Sequence, residues 1–448
     1  MTDLTMFAEE LQGAEYPISK VAANEWKSFA MYTVESRAIP NMIDGLKPVQ
    51  RFYLYSSLLN SKKDFKKVSA VSGIISDYGY NHGEASAAGA GQLMAATWNN
   101  NVCLIEGRGS FGTRLVQEAG AARYVYSRVH NNFNKYIKDI HLSPVHEDPE
   151  HEPPAFYLPI IPMVLVNGTK GIATGFATNI LPHDPSDLAK ACLQYIKNKA
   201  IRTPIRVKFP DYTGEVVQSE EDSTKYVSYG TFSRRGKTAV SITEVPYGFD
   251  REGYVKVLDK LEEDGDIVSY EDKCDKEGFR FEVKLKLASA KWSDSKIITK
   301  FKLSKPFSQN LTVIDFDGKL REYDDAKTLL KDFCDYRLGI LQQRIDDRIA
   351  AFTEAQRWLE VKMQFISAVL NNDIVFKNQK KAAVSKMILE HTDALKSDVD
   401  RLLRINILSL TDEMVKELEK EIIEINKTLD FWKGTTPQDQ FVTDLEEL

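Results

Sequence analysis

The sequence predicts a multidomain α+β protein, and three observations carry that reading. The first third runs helix, turn, helix, short strand and glycine-rich loop, the order of a winged-helix module. Residues 153–304 then alternate apolar strand candidates with amphipathic helices. From Ala326 onward apolar residues recur at steps of three and four, which predicts long helical arms.

Composition bounds what such a chain can be. Its 448 residues suffice for roughly two to four domains. A hydrophobic content of 43% beside 28% charged residues supports a full-sized core. No apolar run approaches the roughly 20 residues that span a bilayer. The acidic start MTDLTMFAEELQ lacks the basic and apolar blocks of a signal peptide, so a soluble cytoplasmic protein is expected. Cys103, Cys192, Cys274 and Cys334 are far apart with no CxxC pair, which argues against a zinc site or a disulfide framework. The net charge of -6 conceals a local basic patch. Between Arg37 and Ser69, Arg37, Lys47, Arg51, Lys62, Lys63, Lys66 and Lys67 face only Asp44 and Asp64. The acidic end DLEEL is expected to repel polyanions, so a nucleic acid would meet the N-terminal third.

Taken in order, residues 24–36 and 48–59 read as helices around a turn at 40–47, with Pro48 suited to a first helical position. Residues 66–77 and 83–98 form a second helical pair joined by Gly79-Tyr80-Asn81-His82, followed by a strand over VCLIE. The many small residues of 83–91 fit either close helix packing or a recognition helix facing phosphates. HEDPEHE at 146–152 holds two His and four carboxylates, but Pro149 keeps the rings off one helix face. A solvated acidic loop is expected there, and no metal site. Beyond it, 158–166, 205–209, 214–217, 238–242 and 279–287 read as strands, and 186–199 and 251–263 as helices. Gly168-Thr169-Lys170-Gly171 lacks P-loop spacing, and Asp315-Phe316-Asp317-Gly318 reads as a hairpin turn rather than a metal-binding pair. Residues 327–369 predict a helix roughly 65 Å long at ~1.5 Å per residue. A second stripe from Met414 to Trp432 follows a Ser409/Thr411 cap and ends before Gly434. Two such stripes suggest a long antiparallel coiled coil, although the pattern also fits a simple bundle.

The stretch with chemical potential is Cys103 to His130. The loop Gly107-Arg108-Gly109-Ser110-Phe111-Gly112 leads through Ala119-Gly120-Ala121-Ala122 to Arg123 and Tyr124, with Tyr126 and Arg128 just beyond. A phenol can attack phosphorus, and a guanidinium grips phosphate oxygens with paired hydrogen bonds. Tyr126 is a rival nucleophile. In a helix it would face away from Tyr124, whereas in a strand the two would share a face.

Gly-x-Phe-Gly-Thr-Arg followed by Ala121-Ala122-Arg123-Tyr124 resembles the catalytic segment of the type IIA DNA topoisomerase breakage-reunion subunit, the kind found in gyrase A and topoisomerase IV A chains. Arg37-Ala38-Ile39-Pro40, Asp44-Gly45-Leu46-Lys47-Pro48 with Arg51, and His82-Gly83-Glu84 fit the same pattern. So do Leu158-Pro159, Val166-Asn167-Gly168, Gly171-Ile172-Ala173 and Ala177-Thr178-Asn179, all in the family's order from about Arg37 to Trp432. Asn81 stands where relatives often have another His, and Ala85 replaces a Ser that many bacterial relatives use to hold a drug-bridging water.

The resemblance implies that Tyr124 is the nucleophile, forming a 5′-phosphotyrosyl link, with Arg123, Arg37 and His82 at the scissile phosphate. It makes His82 a candidate acceptor of the phenol proton. It implies that Lys47, Arg51, Lys170, Lys66 and Lys67 contact DNA and that Ile172 wedges between base pairs. It divides the chain into an N-terminal segment (1–23), a winged-helix DNA-binding domain (24–145), an α/β tower (146–322), coiled-coil arms (323–370 and 411–434), a dimerisation head (371–410) and an acidic tail (435–448). Mg²⁺ and ATP would be bound by Toprim- and ATPase-bearing partner subunits. Without a β-pinwheel after the arms, the assembly is expected to relax supercoils rather than introduce negative ones. Two alternatives stay open: a DNA-binding structural subunit without catalysis, and an unrelated tyrosine recombinase.

Overall fold

The computed structural model describes residues 18–406 and 410–448. Ser409, half of the expected cap, and most of the 1–23 segment lie outside the described residues. The chain divides into two compact units, Met1–Arg337 with Asp444–Leu448, and Leu338–Thr443.

The first unit opens with a helical run over residues 18–38, longer than the expected 24–36. It alternates α-helix (Ile18–Val21, Lys27–Thr33) with π-helical turns (Ala22–Trp26, Val34–Ala38). The following turn is organised by one carboxylate. Asp44 accepts from Leu46 N, from Arg51 Nε and Nη2, and from Tyr157 N, at 2.9–3.1 Å. Both partners are buried, Asp44 to 1% and Arg51 to 4% exposure. Helix Pro48–Asn60 starts as expected, with Pro at its first position.

Helix Glu84–Ala95 crosses Pro48–Asn60, and its small residues divide by face. Ala87, Ala88 and Gly91 are buried, while Glu84, Ala85 and Ser86 stay exposed. A Cβ on Gly91 would lie 2.2 Å from the Tyr53 ring, so only glycine permits this approach. Close packing thus explains the inner face. The expected helix over 66–77 is broken into β1 (Lys66–Lys67), helix Val68–Gly73 and a 3-10 turn Ile75–Tyr78. Strand β1 joins β2 (Ile105–Arg108) and β3 (Tyr126–Val129) in an antiparallel sheet of order β1-β3-β2. The 146–152 loop is only partly the solvated segment expected. Its carboxylates are exposed, but His146 stacks on His151 at 3.7 Å and His151 packs on Phe52 at 4.3 Å. Burial pushes His151 down to about 4, so these rings are neutral packing groups at neutral pH.

The strand expected at 158–166 is absent. Pro159 and Pro162 cannot donate to a ladder, and the run ends instead in a helix, Met163–Asn167, whose first four residues are buried. It leads into the hairpin β4 (Thr169–Ile172) and β5 (Ala177–Ile180). Residues 205–209 contribute only a bridge from Val207 to His183. The rest of the unit is built on antiparallel strands: β6 (Val216–Gln218), β7 (Lys225–Tyr229), β8 (Thr231–Arg235), β9 (Ala239–Glu244), β10 (Ile267–Asp272), β11 (Phe281–Leu285) and β12 (Ser304–Ser308). They form sheets of order β12-β7-β6 and β10-β11-β9-β8. Helix Arg251–Glu263, capped by Asp250 on Gly253 N, buries Tyr254, Val257, Leu258 and Leu261 in the core of the larger sheet with Val240, Ile242 and Phe281. Asp315 to Gly318 is a turn, between β13 (Leu311–Ile314) and β14 (Leu320–Tyr323).

The acidic tail is not a free tail. Helix Pro437–Glu446 places Asp444 against the buried Arg337, which also pairs with Asp139, and Glu447 binds Lys138.

Helix Ala326–Leu370 continues into the second unit, which adds Lys381–His391, Val399–Leu402 and Asp412–Gly434. Thr411 caps the last of these on Met414 N, as expected. Phe365, Ile366, Val384, Ile388, Leu402 and Leu418 form its core. Arg357 bridges Glu354 and Asp398.

Arg51→Ala would leave Asp44 buried and half-satisfied. The expected loss is about 3–5 kcal/mol of stability, measured by chemical denaturation.

Candidate functional site

The glycine-rich loop is fixed at both ends. Trp98 Nε1 donates to Phe111 O, Gly120 N to Ser110 O, and Gln92 Nε2 to Gly120 O. Arg114 is its anchor. The guanidinium is buried, pairs with Glu244 at 2.9 Å and lies about 5 Å from the Tyr212, Tyr247 and Phe279 rings. Glu244 also accepts from Thr213 N and Oγ1. Sequence reasoning gave Arg114 no role of its own, because its acidic partner lies 130 residues away.

That loop delivers Arg123 and Tyr124 on a turn held by Tyr124 N to Ala121 O and Ser69 N to Ala122 O. Tyr124 is 69% exposed, and the Arg123 guanidinium carbon sits 4.8 Å from its ring centroid. Val125 behind it is buried and pins the turn. Tyr126 lies in β3, the central strand, opposite Lys67 and Arg108, and is also exposed. Tyr124 is therefore in neither a helix nor a strand, and it is the more exposed of the two phenols, 69% against 36%. Lys66 and Lys67 are exposed on the edge strand next to them.

A second group forms where the helical run ends. Arg37 Nη2 donates to His82 Nδ1 at 3.1 Å, and Tyr32 Oη lies 2.7 Å from His82 Nε2. Both ring nitrogens are engaged, so His82 has no lone pair left for a phenol proton; the expected acceptor role does not fit this arrangement. Burial, and then the Arg37 charge, hold the imidazole below its ordinary value, so it is neutral at neutral pH. Tyr32 was missed because nothing in the sequence distinguishes it from a surface aromatic on a helix.

Beside this group stands the β4–β5 hairpin. A Cβ on Gly171 would fall 2.0 Å from Ala38 O, so only glycine lets the hairpin seat against the segment carrying Arg37. At its tip Ile172 is 80% exposed, with Phe176 exposed nearby. Lys47 Nζ donates to Lys170 O at 2.7 Å across a groove of about 720 Å³, and burial lowers its pKa. Lys170 itself is exposed. Arg51 is the exception among the expected DNA contacts: it is buried against Asp44 and presents nothing to a phosphate. Among the described residues, no hydrogen bond or ring contact joins Tyr124 to the Tyr32–His82–Arg37 group.

The DNA gyrase/topoisomerase IV A-subunit family matches residues 37–447 of this chain. The chain belongs to that family. Within the gyrase and topoisomerase IV A family, it is similar to the DNA topoisomerase medium subunit of Enterobacteria phage T4. The two are 43% identical over 440 residues, covering 96% of this chain and 98% of the phage one. It is also similar to DNA topoisomerase 2 of Plasmodium falciparum, 28% identical over 94% of this chain but only 33% of the relative. A crystal structure of the Plasmodium falciparum topoisomerase II DNA-binding, cleavage and re-ligation domain superposes with a TM-score of 0.84 at 27% identity, over 94% of this chain and 62% of that one. The chain thus spans nearly all of the phage protein, but only about a third of the Plasmodium enzyme. Family membership makes it the DNA-cleaving subunit of a type II topoisomerase, whose holoenzyme uses Mg²⁺ and ATP.

Arg114→Ala would strand a buried Glu244 carboxylate, at a cost of about 3 kcal/mol. Amide hydrogen exchange should rise across 110–120 before it rises in the β8–β11 sheet.

Proposed function

We propose that Tyr124 cuts and rejoins one strand of duplex DNA per copy of this chain. The observation that carries the reading is an exposed phenol with a guanidinium against its ring, on a turn held in place from behind. In the forward step Tyr124 Oη bonds to phosphorus as the bond from phosphorus to the 3′ oxygen breaks. The phosphoryl group stays on the 5′ end as a tyrosine ester, and the proton lost by the phenol is balanced by the one the departing oxygen takes up to become a 3′-hydroxyl. Reversal reseals the strand without another energy source. Arg123 neutralises charge that builds on the phosphate oxygens.

Arg37 acts on the same phosphate, and His82 stands beside it, hydrogen-bonded to Arg37 and Tyr32. They do not touch Tyr124 within one chain, so bound DNA, held across a self-associated pair, is what unites the two groups. Self-association is assigned to the 371–410 head at the end of coiled-coil arms. Residues 24–145 are read as the winged-helix domain and 146–322 as the tower. Lys47, Lys170, Lys66 and Lys67 position the backbone, and Ile172 wedges into the duplex. Among the described residues, no three His, Cys, Asp or Glu side chains are grouped to hold a metal ion. By the family resemblance we assign Mg²⁺ and ATP to Toprim- and ATPase-bearing partner subunits, and we place the assembly in the cytoplasm.

The assay is reconstitution with the partner subunits, DNA and Mg²⁺, then denaturation. Tyr124→Phe should abolish protein-linked 5′ ends, whereas Tyr126→Phe should keep them; the opposite pattern moves the nucleophile to Tyr126. No 5′ linkage from the parent assembly would leave only a scaffold. In a FRET assay of doubly labelled duplex, Ile172→Ala should reduce bending, and unchanged bending would remove the wedge.

A further inference from the structure

The group formed by Arg37, His82 and Tyr32 has a direction. A guanidinium only donates hydrogen bonds, so the bond from Arg37 Nη2 makes His82 Nδ1 the unprotonated nitrogen. A neutral imidazole carries one proton, which must then sit on Nε2. Nε2 therefore donates, and Tyr32 Oη at 2.7 Å accepts. Tyr32's own hydroxyl proton has no acceptor among the described residues, and the side chain is 41% exposed. Accepting a bond from a ring that is itself bound to a cation polarises the phenol and makes it a stronger donor. The ring is also held in place: it meets His82 edge-on at 5.9 Å, and the Arg37 guanidinium carbon lies 5.9 Å from its centroid. The chain of donors runs from Arg37 through His82 to Tyr32 and then out of the protein.

We propose that Tyr32 is a further catalytic residue, donating its hydroxyl hydrogen to a non-bridging oxygen of the phosphate that Tyr124 attacks. This rests on the reading of Tyr124 and its phosphate given above. In that arrangement His82 does not meet the phosphate as an acid or a base; it orients Tyr32 and passes on the polarisation of Arg37.

Tyr32→Phe, in the reconstituted assembly, keeps the ring and removes the donor. The single-turnover rate of covalent-complex formation should fall about tenfold, the effect of one hydrogen bond to a charged oxygen. DNA affinity and the thermal melt should stay those of the parent. The donor role also predicts coupling. In a His82→Ala background Tyr32→Phe should cost no more than about threefold, because the relay is already broken. On duplex carrying a methylphosphonate at the scissile position, one diastereomer should be cleaved equally by parent and Tyr32→Phe, since the accepting oxygen is gone. A Tyr32→Phe rate within twofold of the parent would overturn the proposal, as would a tenfold loss that persists on both diastereomers. Tyr124→Phe runs alongside. If it still forms covalent complexes, the nucleophile assignment has failed; if it does not and Tyr32→Phe matches the parent, only the role of Tyr32 has failed.

Discussion

One buried carboxylate holds the N-terminal half of the first unit together. Asp44 collects donors from its own turn, from the helix that follows and from the backbone at Tyr157. A buried charge is tolerated only when paired and fully hydrogen-bonded; Arg51 supplies the pairing, and the Leu46 and Tyr157 amides complete the hydrogen bonds. The bond to Tyr157 N ties this turn to the segment leading into the β4–β5 hairpin. Lys47 and the hairpin are thereby held across one groove. An arginine that sequence motifs assign to DNA is spent on the interior, and the basic surface is left to Lys47, Lys170, Lys66 and Lys67.

A second buried pair does the same for the catalytic segment. Glycines let the loop over 107–112 turn sharply, but they also make it costly to order. Arg114 meets that cost from the far side, because its pairing with Glu244 anchors the loop to the neighbouring sheet. Tyr124 then emerges from a backbone with few remaining options, on a side chain left open to solvent. Rigid support under an exposed phenol suits the nucleophile role proposed for Tyr124, since a macromolecular substrate requires positioning.

Local signals in the sequence were reliable where local chemistry decides. Pro48 opening a helix, Asp250 capping one, Thr411 capping another and the turn at Asp315 to Gly318 all depend on neighbours within four residues. The long helix from Ala326 declared itself by repetition. The apolar run at 158–166 failed, since apolarity marks burial and not conformation, and its two prolines ruled out a ladder. Strands β7, β8, β10 and β12 were passed over because each is short and polar on one side, and gains its identity only by pairing.

For the site, the sequence alone supplied the candidates: a phenol and a guanidinium after a small-residue run at Arg123 and Tyr124, and, through motifs that resemble the family's, Arg37, His82 and Ile172. The residue types lie in short stretches of sequence, and their roles are what the family resemblance implies. Only the tertiary structure decided who bonds to whom. It turned Arg51 inward to Asp44, gave Arg114 its Glu244, closed both nitrogens of His82 and brought in Tyr32 from fifty residues away. The physical reason is that a hydrogen bond or ion pair has no sequence period. It exists where folding brings donor and acceptor within about 3 Å, and that distance is set by the packing of whole elements rather than by the residues between them.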